Sequence, residues 1–112
     1  MTVQDLVEAL KLEPIYLGDA GKHVTGGYAS DLLSCVMAKA KPGHVWITLQ
    51  AHPNVVAVAS LLDLAAVIIS EAVTPDAETV ARARENGTNL LRSSQGTFGV
   101  VGRLSALGIG GE

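Results

Sequence analysis

The chain has 112 residues and a formal net charge of −3, with 48% hydrophobic and only 17% charged residues. That length builds one domain around a buried core. The lack of a basic cluster, together with one Trp, two Tyr and one Phe, argues against a nucleic-acid-binding surface. So apolar a composition favours an oligomer, or a subunit that buries part of its surface.

A single cysteine, Cys35, rules out an internal disulfide framework and fits a reducing cytoplasm. Met1-Thr2-Val3-Gln4-Asp5 lacks the basic start of a secretory leader. The most apolar stretch, Val55 to Ile69, is broken by Ser60 and Asp63 and is too short to span a bilayer. The expectation is a cytoplasmic chain with no membrane segment.

In chain order, Thr2 caps a first helix, with Asp5 three residues on in capping-box spacing. Pro14-Ile15-Tyr16-Leu17 reads as a short strand ended by Gly18-Asp19-Ala20-Gly21. Thr25 to Tyr28 reads as a glycine loop, because Gly26 and Gly27 permit backbone angles that a Cβ forbids. Ser30 then caps a second helix, and Asp31 suits its positive end. Leu32, Leu33, Val36, Met37 and Ala40 form its apolar face, and Pro42-Gly43 stops it.

His44 to Leu49 is the clearest strand, rich in β-branched and aromatic residues. Gln50 to Asn54 is a loop that places Pro53 at a helix start, and Val55 to Leu62 follows as a helix. Ala65 to Ile69 reads as a strand covered on both faces. Thr74-Pro75-Asp76 starts a fourth helix, stopped by Asn86-Gly87. Asn89-Leu90-Leu91 is a last short strand, and Ser93 to Gly96 leads into a final helix over 97–107. The core runs from about 13 to 107, and residues 108–112 form a tail that frays.

Repeated strand, polar loop and helix define an α/β domain: a mainly parallel sheet of about four strands with helices packed on it, in two or three layers. Such sheets bind ligands beyond the carboxyl ends of their strands. The loops Thr25–Ser30, Gln50–Asn54 and Ser93–Thr97 each lead to a helix start and are expected to meet there. Helix starts offer unpaired amides to anions. The candidate ligand-binding residues are therefore Thr25, Gly26, Gly27, Ser30, His52, Asn54, Ser94 and Thr97, facing a phosphate-bearing small molecule such as an adenine nucleotide.

Other patterns carry less. Gly18-Asp19-Ala20-Gly21-Lys22 has two residues between its glycines, and His23 follows the lysine. A phosphate-binding loop needs four, then Ser or Thr, so this segment reads as a turn. His23, His44, His52 and Cys35 lack the close pairing of a structural zinc site. No Ser, His and acid fall in a triad pattern. Gly99 and Gly102 weaken the last helix, which fits close approach to the sheet or to a partner helix. No catalytic residue, metal or cofactor is assigned.

Thr25-Gly26-Gly27, Ser30-Asp31-Leu32-Leu33-Ser34 and the strand-loop-helix from His44 to Ala59 resemble the DRTGG domain family. The resemblance spans about Ile15 to Leu104. His23-Val24 stands where the family has Asp-Arg, so a ligand held by those charges would lose them here. The resemblance implies a fold similar to the N-terminal domain of HPr kinase/phosphatase. It also implies a regulatory or dimerising role beside catalytic domains, such as those of phosphotransacetylases and CBS-containing pyrophosphatases. Short stand-alone relatives are encoded near iron-only hydrogenase subunits, which implies service to a hydrogenase or another metabolic enzyme. The expected function is a non-catalytic regulatory or interaction module that self-associates, with a sensor of phosphate-bearing ligands as the alternative. A phosphotransferase is a further alternative, disfavoured by the lack of a phosphate-binding loop.

Overall fold

Helices and strands alternate through the computed structural model, which describes residues 1–111, in the order α1 (Val3–Leu10), β1 (Glu13–Tyr16), β2 (Gly26–Ala29), α2 (Leu33–Lys39), β3 (His44–Thr48), α3 (Asn54–Leu61), β4 (Ala66–Ile69), α4 (Ala77–Asn86), β5 (Leu90–Arg92) and α5 (Thr97–Ala106). The sheet order is β1-β5-β4-β3-β2. Strands β2 to β5 are mutually parallel and β1 runs antiparallel to β5.

Side chains of the central strands alternate between two cores, as the pleat requires. Val45, Ile47, Ala66, Ile68 and Leu91 pack with Val3, Leu6, Leu10, Val100 and Leu104 of α1 and α5. Trp46, Val67, Ile69 and Leu90 pack with Val36, Val55, Val56, Ala59 and Ala83 of α2, α3 and α4. The result is three layers, with β3 and β4 buried along their whole length. That two-sided burial is why those strands read as continuous apolar runs. Trp46 is fully buried, and its indole N–H donates to the Ser30 carbonyl at 2.8 Å.

The capping box at α1 forms as its spacing predicts. Thr2 N donates to Asp5 Oδ2 at 2.9 Å and Asp5 N to Thr2 Oγ1 at 3.2 Å. The Thr2 amide first, and then its hydroxyl, hold the Asp5 carboxyl below the usual carboxylate range. Gly87 ends α4 at φ 67°, the left-handed cap expected of Asn86-Gly87.

Three expectations fail. The sheet has five strands, because Gly26–Ala29 pairs with β3 as β2 instead of forming a loop. Glycine is a poor strand former, so only the neighbouring strand imposes this conformation. Ser30 does not cap α2: Leu32 holds the cap position without a side-chain bond, and Ser30 Oγ accepts from Leu32 N at 3.1 Å one turn earlier. The tail is anchored as far as it is described. Gly27 N donates to the Gly110 carbonyl at 2.8 Å and Ile109 packs on the α1–α5 core. Glu112, the last residue of the expected tail, lies outside the described residues. Among the described residues no helix is long and apolar enough to cross a membrane.

Candidate functional site at the carboxyl edge of the sheet

Strand β4 leads to α4 on one face of the sheet, while its neighbour β5 leads to α5 on the other. The crevice between diverging connections is where open α/β sheets place ligands. Here it is filled from within. The Glu71 carboxylate accepts from Thr97 N, the first amide of α5, at 2.8 Å. Glu71 N donates to the Gln95 carbonyl at 2.7 Å and Ala72 N to the Ser93 carbonyl at 3.0 Å. The Ser70 and Thr97 hydroxyls hydrogen-bond to each other at 2.6 Å.

Glu71 and Ala72 both hold left-handed backbone, at φ 63° and 57°. Two such non-glycine residues in succession are costly. The bonds to the β5–α5 loop hold them there, and so does Arg92. Its guanidinium donates to the carbonyls of Val73 and Ala72, at 3.1 and 2.7 Å, and to Glu13 Oε1 at 3.0 Å. The cation at this edge is therefore committed to protein groups.

The β2–α2 connection is closed in the same way. Asp31 Oδ1 accepts from the Thr48 hydroxyl at 2.8 Å and from Leu49 N at 2.9 Å. Gln50 Nε2 donates to the Asp31 carbonyl at 2.7 Å. Asp31 thus ties two strand ends together instead of lying at the first turn of α2, the role its sequence position implies.

Of the expected site residues, Ser30, His52, Asn54, Ser94 and Thr97 fall at this edge, each just beyond the end of a parallel strand. His52 is exposed, and its Nδ1 accepts from Asn54 N at 3.2 Å in a local turn. Ser94 is exposed. Thr25 and Gly26 are not brought to them. Gly26 pairs with His44 at the start of β3, so both lie at the opposite end of the strands, and Gly27 is inside β2. The Gln50–Asn54 and Ser93–Thr97 loops both lie at this edge but follow β3 and β5, with β4 between them and their helices on opposite faces of the sheet; the third is a strand joined to the edge only through Ser30.

The Thr-Gly-Gly segment instead answers to packing. A Cβ on Gly26 would lie 2.9 Å from the buried His44 ring and 3.0 Å from the Gly110 carbonyl. Gly43, at φ 84°, faces Thr25, whose hydroxyl donates to the Pro42 carbonyl at 3.3 Å. These residues let β2 close on the start of β3 and on the chain end.

Sequence reasoning missed Glu71 and Arg92. Arg92 reads as an ordinary end to a short strand, and nothing local marks Glu71, since its partner lies twenty-six positions downstream. Among the described residues no group of three or more His, Cys, Asp or Glu side chains is placed to hold a metal.

Three layers around this five-stranded sheet make an α/β domain, and superposition on a solved structure shows its fold to be DRTGG-like. The supporting structure is that of the CBS and DRTGG domains of the regulatory region of Clostridium perfringens pyrophosphatase, complexed with its activator, diadenosine tetraphosphate. It superposes at a TM-score of 0.73 with 14% sequence identity, over 92% of this chain and 45% of that one. This chain therefore spans less than half of that regulatory region. No family model matches the sequence, and no curated protein matches it.

Proposed function

We propose that the chain is a non-catalytic regulatory or interaction module that self-associates through the carboxyl edge of its sheet, in the service of a metabolic enzyme. The observation that carries this reading is what that edge displays. Asp31, Glu71 and Arg92 are spent on protein groups there, while Leu32, Leu49 and Phe98 stand 60%, 44% and 94% exposed at the same edge. Leu32 and Leu49 follow adjacent strands, and Phe98 sits in the first turn of α5. Large apolar side chains gathered on one rim mark a surface that another chain covers. The fold shared with a regulatory region fits this role. Light scattering on the purified chain at micromolar concentration tests it. A dimer mass is expected, and Leu49→Ser with Phe98→Ser restores the monomer. The hydrogenase partner that the family resemblance implies is tested by co-purification with tagged hydrogenase subunits.

A second reading is a sensor of phosphate-bearing ligands such as adenine nucleotides, favoured by the nucleotide activator bound to the similar regulatory region. The amide of Thr97 is the natural anion donor, and a phosphate reaches it only by displacing Glu71. A thermal-shift screen with diadenosine tetraphosphate, ATP and AMP tests this reading. Saturation at a hundredfold excess over the dissociation constant adds about 2.7 kcal/mol of stability.

A further inference from the structure

At the other end of the strands lies a cleft of about 240 Å³, between the carboxyl-terminal ends of α3 and α4 and the starts of β4 and β5. The loop of residues 18–22 forms its roof. Asn89, 2% exposed, holds that roof in place: its Oδ1 accepts from Gly18 N and Asp19 N at 2.8 and 3.0 Å, and its Nδ2 donates to the carbonyls of Asp19 and Ala65 at 2.7 and 2.9 Å. Lys22 reaches across to pair with Asp63.

Among the polar side chains of this wall that make no hydrogen bond within the chain, Ser60 and Asn86 are exposed and Thr88 is nearly buried. Thr88 is 8% exposed and lines the cleft, and its hydroxyl bonds to nothing in the chain. Every fully enclosed side-chain nitrogen or oxygen among the described residues has a partner. The Thr88 hydroxyl is therefore reached from outside, through the cleft it lines. Reached only through this cleft, the hydroxyl offers one donor and an acceptor to a polar occupant of it.

The charge of the cleft selects the occupant. Two helix carboxyl ends bring partial negative charge, and Asp19 and Asp63 add two carboxylates. Lys22 is the opposing cation; it is paired with Asp63, and a zwitterionic occupant replaces that pair with one contact to each partner. A phosphate is repelled, an ammonium group is attracted, and a carboxylate has Lys22 and Thr88 to receive it. We infer that the cleft binds a free α-amino acid, its ammonium toward Asp63 and the helix ends and its carboxylate toward Lys22 and the Thr88 hydroxyl. The volume suits a small metabolite, not a dinucleotide. This site is independent of the carboxyl edge and of the function proposed for it.

Amide NMR spectra of the ¹⁵N-labelled chain, titrated with a mixture of the standard L-amino acids, then putrescine, then inorganic phosphate, test the inference. Saturable shifts at Lys22, Asp63, Thr88 and Asn89 with the amino acids alone are expected. Thr88→Val keeps the shape of the side chain, and Asp63→Asn suits the left-handed backbone there, φ 56°. Each should weaken binding by about tenfold or more. No saturable shift with the amino acids, equal shifts with putrescine or phosphate, or binding unchanged in the folded Asp63→Asn variant would each overturn the assignment.

Discussion

Glu71 caps a helix twenty-six residues downstream of itself: its carboxylate lies 2.8 Å from the Thr97 amide at the first turn of α5. The chain thus supplies its own anion where a ligand phosphate would sit. Glu71→Gln should lower stability by about 1 kcal/mol, the usual worth of an N-terminal cap. If the Thr97 amide accepts anions at all, the same variant should gain affinity for inorganic phosphate. Melting curves with and without phosphate at fixed ionic strength check both outcomes.

Asn89 should be far more expensive to change. Its amide makes four hydrogen bonds between β5, the start of β4 and the loop at Asp19. Asn89→Ala should cost about 3 kcal/mol, because amides and carbonyls are left unpaired in a largely buried place. Asn89→Asp keeps the acceptor for Gly18 and Asp19 but puts a charge against two carbonyls, so it should rescue little. Urea denaturation of the two variants measures this.

The glycines should behave oppositely. Gly26→Ala drives a methyl into the His44 ring and the Gly110 carbonyl and should cost about 1–3 kcal/mol. Gly102 lies in α5 with nothing within 4 Å of the position of its Cβ. No contact inside the domain requires it, which removes the sheet from the two close approaches expected of Gly102 and leaves a partner helix. Gly102→Ala should stabilise the isolated chain by up to about 1 kcal/mol. Chemical denaturation of both variants, run at a concentration where the chain is monomeric, separates them.

Acid should loosen α1. The Asp5 carboxyl is held below its ordinary range by Thr2, so its contribution is present above the unfolded-state value and is lost as pH falls through the folded one. Thr2→Ala keeps the backbone amide that contributes most, so it should raise the Asp5 titration only in part, by what the hydroxyl supplied. It should reduce stability at neutral pH, and part of that loss should persist in strong acid, because Asp5 N loses its Thr2 hydroxyl acceptor at every pH. Carboxyl-detected NMR titration of both proteins measures the shift.

Helix α1, strands β3 and β4 and the Gly87 cap were legible because their signals are local: a capping box, apolar runs, a glycine after the last turn. β2 was not, since Gly26-Gly27 has no strand signal and is extended only by pairing with β3. The same error sent Thr25 to the wrong end of the sheet. His52, Asn54, Ser94 and Thr97 fell at the expected edge because each follows a recognisable strand. The groups that close this edge, Glu71, Arg92 and Asp31, act through partners distant in sequence, and no local pattern announces them.

Self-association through the carboxyl edge is tested most directly by sedimentation equilibrium of the wild-type chain beside Leu49→Ser/Phe98→Ser, across the micromolar range. The wild type should approach twice the monomer mass, and the double variant should remain monomeric with an unchanged far-ultraviolet spectrum. A wild-type chain that stays monomeric throughout, or a dimer indifferent to both substitutions, would contradict it.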